Sequence, residues 1–491
     1  MQERAAVAPE AATPPDAAPT AAASHDTAPP QALVDFMLKD WEAPSAEPPA
    51  PIEHHAAFAA RRERLSRLFP ADVLVIPTGH EKVRSNDTFY RFRPSSDFYY
   101  LTGNLEPDCV LVMVPRVEGG HESVLFVEPN TRSDASFFTD RGKGELWAGP
   151  RLGVDKSRAR YAVDDCRSLK DLESFLGALA GAGRPARVTR GFDPTADQVF
   201  AESPRDAELG TALAEMRLIK EPLEIDLLQA AIDSTRRGFE DVIRALPKAT
   251  SERHVEGVFN LRARVEGNDV GYNTIAAGGC HACTLHWMRN DGGLRAGELL
   301  LLDAGIEGNS LYTADVTRTL PISGRFSPEQ RLVYDLVLKA QRAAMRMLRP
   351  GIDFMAPNQE AMRILAEGLY ELGILKVKPE VALDEQQQLY KRYTLHNISH
   401  MLGLDVHDCA AARHEKYKGC VLEPGLVFSC EPGLYFQKDD LTVPERFRGI
   451  GVRIEDDVMV TADGYRNLSA AIPAEADEVE AWMQRLWNEP A

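Results

Sequence analysis

The 491-residue chain contains no apolar run approaching the length of about 18 residues that crosses a bilayer as a helix. It is short of cationic side chains: 56 Lys and Arg stand against 74 Asp and Glu, a formal charge of −18. That balance argues against a nucleic-acid partner, which requires a basic surface. Cysteine is scarce and odd in number, seven in all, with no framework spacing. A reducing compartment is expected rather than a disulfide scaffold. A glycine-rich phosphate loop is also missing; Gly119-Gly120 is too little to serve as one. No apolar segment follows the first charges, so no ordinary secretory signal is visible and a cytoplasmic location is expected.

What is present suffices for large cores. Hydrophobic residues make up 44% of the chain, and its length predicts two or three domains. Residues 1–53 read as an Ala/Pro-rich, largely disordered tail. Its first 31 residues have no periodicity, and Leu33–Trp41 is a short apolar island that would dock as a helical turn or two. Residues 1–55 hold nine of the acids and only two bases. Residues 54–212 alternate helix-like and strand-like runs, an α/β pattern. A helix is expected over 56–69, strands over 73–77, 98–101, 110–114 and 124–127, a helix over 169–179 and a strand over 186–189. The aromatic stretch Arg91–Gly103 within it reads equally as core and turn or as the lining of a site. A boundary near Gly210–Arg217 opens residues 213–475, an α+β layout of hairpins with helices alongside. Pro222 opens a long helix to Leu246, Glu252–Glu266 is a second, and Ser327-Pro328-Glu329-Gln330 is a capping box that starts a third. Asn358–Leu372 is another, and residues 476–491 form a short C-terminal helix and tail.

The chemistry concentrates in Leu299–Thr319, LLLLDAGIEGNSLYTADVTRT. It reads as a hairpin turning at Gly308-Asn309-Ser310, which pairs Glu307 with Leu311 and sets Asp303 directly opposite Asp315. Two carboxylates that close repel unless a proton or a cation lies between them. Other stretches add unusual residues. His396, His400 and His407 cluster in one apolar, glycine-containing loop. Glu431 ends a strand before Pro-Gly. Arg453, Glu455 and Asp457 alternate along one strand face. His286 follows Cys280-His281-Ala-Cys283 ahead of the hairpin. Each has a plainer reading alone, as a surface acid or a satisfied histidine. Together they offer four carboxylates and an imidazole, a donor set that two divalent cations would neutralise. Hard oxygen donors with one histidine suit Mn²⁺, with Co²⁺, Fe²⁺ or Zn²⁺ also able to enter. Cys280, His281 and Cys283 are too tightly spaced for a zinc site, and no second pair follows.

Read jointly, LLLLDAG, ADVTRT, SHMLGLDVHD, LEPGLVFSCEPGLY and GIGVRIEDD resemble the metallopeptidases of the pita-bread fold, most of all the aminopeptidase P family. YNTIAAGG and RFRPSSDFYYLTG extend the resemblance into residues 56–470. It implies a pita-bread catalytic domain behind a smaller α/β N-terminal domain, and hydrolysis of the N-terminal Xaa-Pro bond of peptides. By resemblance, Asp303 would chelate one metal and His400 with Glu431 the other, with Asp315 and Glu455 bridging both and a hydroxide between them as nucleophile. Glu431 would also be the general base. His407 and His286 would polarise the carbonyl, His396 would line the proline pocket, and Tyr435 and Arg453 would orient polar groups. A homo-dimer or homo-tetramer is implied, with no nucleic-acid or membrane partner. Asp303 and Asp315 stand one residue further apart than is usual in the family. The nearest alternative is prolidase, which cuts only Xaa-Pro dipeptides and must hold the free carboxylate; Arg453 does not decide between them. The large N-terminal domain disfavours methionine aminopeptidase, and the metal set disfavours creatinase. A metal-free pseudo-peptidase that only binds partners is the remote alternative.

Overall fold

The computed structural model of the chain describes residues 28–42, 45, 47–86, 88–129, 132 and 134–489. The disorder expected for the tail therefore falls, up to residue 27, outside the described residues. Among the described residues no helix is long and apolar enough to cross a membrane. The apolar island forms a seven-residue helix, Gln31–Met37, none of whose side chains is buried. Packing is left to Trp41, whose ring meets Phe137 edge-on at 5.1 Å under the Arg132 guanidinium.

Two compact units divide after Glu202. The expected boundary near Gly210–Arg217 instead lies inside a helix, Pro204–Leu218, which Ser203 and Asp206 start with a reciprocal capping box. In the first unit, strands Val73–Pro77 (β1), Val110–Pro115 (β2), His121–Val127 (β3), Asp165–Ser168 (β4) and Ala186–Val188 (β5) form one sheet in the order β4-β3-β2-β1-β5. It is mixed: β1–β2 and β2–β3 are antiparallel, β1–β5 and β3–β4 parallel. The run VLVIP is wholly buried, as expected of a strand covered on both faces. Val75, Val112 and Phe126 pack against Leu172 and Leu176 of the helix Leu172–Gly181.

Phe98–Leu101 is not a strand but the middle of a helix, Ser96–Thr102. A short apolar run does not by itself distinguish a strand from a buried helical turn. The caps decide: the Ser95 hydroxyl accepts from Phe98 N, and Gly103 closes the helix at φ 66°. Phe98, Tyr100 and Leu101 are buried core residues of this unit.

The second unit is built on helices Pro222–Ala245 (α1), Glu252–Glu266 (α2), Pro328–Arg346 (α3), Ala356–Glu371 (α4) and Ala476–Asn488 (α5). Its central sheet joins Ile275–Gly278 (β6), Leu299–Ala304 (β7) and Val316–Pro321 (β8), with β7 in the middle and both pairings antiparallel. Alternation along β7 sorts its side chains by face. Leu300, Leu302 and Ala304 pack with Phe239, Phe259, Trp482 and Met483 from α1, α2 and α5. Leu301 points the other way, towards Ile275 and Tyr435, and Asp303 shares its face. Val427–Cys430 (β9), Asp456–Val460 (β10) and Tyr465–Asn467 (β11) form a second sheet, on which α3 and α4 pack through Val337, Leu365 and Leu369 against Phe428 and Val458. A two-stranded pair, Gly433–Tyr435 (β12) with Gly451–Arg453 (β13), completes the frame.

Candidate active site

The register of the aspartate hairpin differs from expectation by two residues. Asp303 faces Thr317, not Asp315, and Glu307 pairs with Thr313 across a five-residue turn, 308–312. Leu311 and Tyr312 do not begin the second arm. Leu311 is buried in a left-handed conformation at φ 61°, and the buried Tyr312 hydroxyl donates to Glu224 at 2.7 Å. A shift of two preserves the side-chain face, so both aspartates still meet. Each arm is four residues long between those pairs, so neither carries a bulge there. Gly305 lets the arms close: a Cβ there would stand 1.7 Å from the Ala314 carbonyl oxygen.

The Tyr272 hydroxyl joins the two acids, at 2.6 Å from Asp303 Oδ1 and 2.5 Å from Asp315 Oδ1. Across from them His400 Nε2 lies 3.2 Å from Asp315 Oδ2 and 3.4 Å from Glu431 Oε1. Donor atoms of Asp315, His400 and Glu455 all fall within 4.8 Å of one another. Glu431 follows β9, and Ser429 on that strand donates to it at 3.3 Å.

Arg453, Glu455 and Asp457 do not share one strand. β13 ends at Arg453, the next strand begins at Asp456 in another sheet, and Glu455 occupies the break. At the break the fully buried Arg318 donates to the Glu455 carbonyl and to Asp456 Oδ1. All three side chains nevertheless turn to the aspartates. Arg453 reaches Asp303 at 2.5 Å, Thr317 donates to Glu455 at 2.6 Å, and Asp457 accepts the Asp315 backbone N–H at 3.1 Å.

Crowding sets the protonation. Burial pushes the Glu431 carboxyl up to about 7, with His400 pulling against it and Asp315 adding to it. Glu455 is raised well above the ordinary carboxylate range by burial and by Asp315, Glu431 and Asp303. Burial also raises Asp303, against the pull of Arg453. Burial alone would lower His400, but its hydrogen bond to Asp315 and the charge of Glu431 hold it up at about 9. A buried cluster of acids that can relax only by taking up protons is chemically suited to cations in their place. The donor set thus fits divalent metal, and the Nδ1 of His400, facing the Met401 carbonyl at 3.3 Å, leaves Nε2 for it.

These groups line a cavity of about 790 Å³. His286, His396 and His407 line it too. His396 donates from Nδ1 to the Asn397 carbonyl at 2.9 Å and accepts the Tyr435 hydroxyl at Nε2, 2.7 Å; Tyr435 in turn accepts from Arg453 at 3.0 Å. Burial and the facing Arg453 lower His396 to about 4, so its 3.7 Å approach to Glu431 joins a neutral ring to the acid. The His407 ring stands edge-on to His400 at 4.2 Å. The structure thus brings the named site residues to one cleft except Tyr435, which does not line it but is bonded to His396 and Arg453, which do. Sequence reasoning missed Tyr272 and Thr317 and gave Asp457 no role; the one signal for Tyr272 is its place at the head of YNTIAAGG. In the Cys280–Cys283 segment His281 contacts Glu252 at 2.7 Å, and Cys283 donates to the Phe436 carbonyl.

Residues 226–462 match Metallopeptidase family M24, and residues 58–187 match Aminopeptidase P, N-terminal domain. Xaa-Pro aminopeptidase 1 of Streptomyces coelicolor is 51% identical over 461 residues, 92% of each chain. Xaa-Pro aminopeptidase of Escherichia coli is 33% identical over 443 residues, covering 87% of this chain and 97% of that one. Aminopeptidase P from E. coli with the inhibitor Pro-Leu superimposes with a TM-score of 0.80 at 32% identity, covering 90% of this chain and 100% of the other.

Proposed function

The chain belongs to metallopeptidase family M24, in its aminopeptidase P branch, and from that premise we propose how its cleft carries out the reaction. The protein has the pita-bread fold and is a metal-dependent exopeptidase that hydrolyses the N-terminal Xaa-Pro bond of peptides. The observation that carries the residue assignment is the convergence of Asp303, Asp315, His400, Glu431 and Glu455 on one cavity. In our reading Asp303, Asp315, His400, Glu431 and Glu455 would together hold two divalent cations. The hardness of four carboxylates with one imidazole favours Mn²⁺. Bound there, the cations supply Lewis-acid polarisation and lower the pKa of water.

The chain's own groups do the rest. Glu431 takes the proton from the attacking water and returns it to the leaving proline nitrogen. His407 and His286 on the cavity wall donate N–H to the oxygen that becomes negative at the tetrahedral stage. An Xaa-Pro bond is a tertiary amide whose proline nitrogen carries no hydrogen, so selection rests on the ring rather than on a backbone N–H. His396, held in place by the Tyr435 hydroxyl, would offer that ring a rigid, uncharged wall. Arg453 fixes Asp303 and Tyr435 together.

The test uses Mn²⁺-loaded enzyme with an Xaa-Pro dipeptide and an Xaa-Pro-Yaa tripeptide. Rapid release of the first residue from the tripeptide is expected. Cleavage of the dipeptide alone would make the chain a prolidase. Cleavage of neither, with no divalent metal retained, would mean a binding protein.

A further inference from the structure

Glu252 lies in the first turn of α2 and is 0% exposed. A buried carboxylate is tolerated when hydrogen bonds fill its lone pairs. Here four donors do so. Oε1 accepts from Gly278 N at 2.8 Å and from His281 Nδ1 at 2.7 Å; Oε2 accepts from Trp287 Nε1 at 2.8 Å and from Gly292 N at 2.7 Å. All four belong to one loop. Gly278 and Gly292 are its two ends, and between them the His281 and Trp287 rings stack at 3.9 Å. The packing is close: a Cβ on Gly292 would stand 2.6 Å from the His281 ring and 2.8 Å from Glu252 Oε2.

The same loop presents Leu285, His286 and Met288 to the cavity. His286 is adjacent to Trp287 in the chain and lines the cavity. We propose that Glu252 is a positioning residue for the reaction: through His281 and Trp287 it holds the 279–291 loop so that His286 meets the substrate. The proposal rests on the reading of His286 as a substrate-contacting group. It gives the Cys280-His281-Ala-Cys283 stretch a role that needs no metal.

The experiment combines kinetics with hydrogen–deuterium exchange on the full-length, metal-loaded enzyme. Glu252→Gln keeps the size but offers one acceptor oxygen, so at least one pair of donors loses its partner. Trp287→Phe removes a single donor and tests the same link should Glu252→Gln fold poorly. Misplacement on the scale of 1 Å costs up to about 100-fold. Glu252→Gln is expected to lower kcat on an Xaa-Pro-Yaa peptide about 10- to 100-fold with bound metal unchanged. The double variant Glu252→Gln/His286→Ala should be no slower than His286→Ala alone. Exchange over 279–291 should quicken while that over α4 stays constant. Losses that multiply in the double variant, or exchange unaltered in both Glu252→Gln and Trp287→Phe, would overturn the proposal. An inactive wild-type enzyme would defeat the reading of the cleft, while the exchange data would still decide whether Glu252 holds the loop.

Discussion

In the proposed mechanism Glu431 would meet two demands in one side chain, as a donor for a cation and as a base for water. Glu431→Gln keeps the shape and loses both the charge and the basic site. The expected outcome is loss of hydrolysis by about 10³-fold or more, with a melting temperature near that of the wild type, read from steady-state kinetics and calorimetry. Near-normal turnover would remove Glu431 from the mechanism. The neighbouring groups make a second prediction about metal removal. In the metal-free protein His400 is raised to about 9 and Glu431 to about 7, so the folded state binds protons that the unfolded state has released. Stability then falls as pH rises, because the folded chain holds more protons than the unfolded chain over that interval. The His400 contribution is complete below its ordinary value of 6.5 and is lost as pH climbs through about 9. The raised Glu431 works in the same direction between 4.5 and about 7. Melting of the chelated protein is therefore expected to drop by roughly 5 °C between about pH 5 and pH 9. Divalent metal should restore most at the alkaline end; a flat profile would refute the crowded-acid account. At this scale Asp303 and Glu431 were legible in the sequence because one closes and the other follows an apolar strand, a poor place for a solvated charge. Tyr272 was not, since one tyrosine in a strand-like run reads as packing until the partners of its hydroxyl are known. Asp457 stood out by alternation with Arg453 and Glu455, but its partner, the Asp315 backbone N–H, has no local signal.

At the scale of elements, the aspartate hairpin shows why face is easier to read than register. Alternation in LLLLDA fixes which side Asp303 takes, because Leu300 and Leu302 must meet α1 and α2. Register depends on the turn, and there Leu311 and Tyr312 are drawn inward by burial that no local signal announces. The resulting error was an even number of residues, which moves pairing partners but not faces. The helix at Ser96–Thr102 failed differently: its cap residues were visible, but four apolar residues in a row outweighed them. The long helices, by contrast, start where Pro222 and Ser327-Pro328 said they would. Gly305 offers the sharpest test of the hairpin. Gly305→Ala puts a methyl 1.7 Å from the Ala314 carbonyl, so the arms must separate beside Asp315 and two residues from Asp303. A destabilisation of about 1–3 kcal/mol is expected, as for other overpacked sites. Metal affinity should weaken about tenfold, measured by titration calorimetry, because donor geometry is lost along with packing. Wild-type affinity in this variant would show that the two arms do not set the site.

For the whole molecule, the dominant property is charge, and the tail invites the suspicion that it supplies much of the field. Residues 1–27 carry four acids and one base, so their removal moves the formal charge only from −18 to −15. The substrate's free amino terminus is cationic, and a cationic peptide approaching an acidic protein gains on-rate that salt screens within about 10 Å at 0.1 M. Most of that attraction resides in the two folded units and should survive truncation. Residues 1–27 are rich in Ala and Pro, with few large apolar side chains. Deleting residues 1–27 should accordingly leave kcat/KM on an Xaa-Pro-Yaa peptide within about twofold of the wild type at physiological salt. The decline of kcat/KM with added salt, measured on a peptide whose first residue is lysine, should keep nearly the same slope, since the charge that produces it changes by one sixth. A shallower slope would assign the steering field to the tail. A fall in kcat/KM beyond about tenfold at every salt concentration would do more, because screening cannot explain it: the tail would then have to contact the cleft or hold together the form of the enzyme that works.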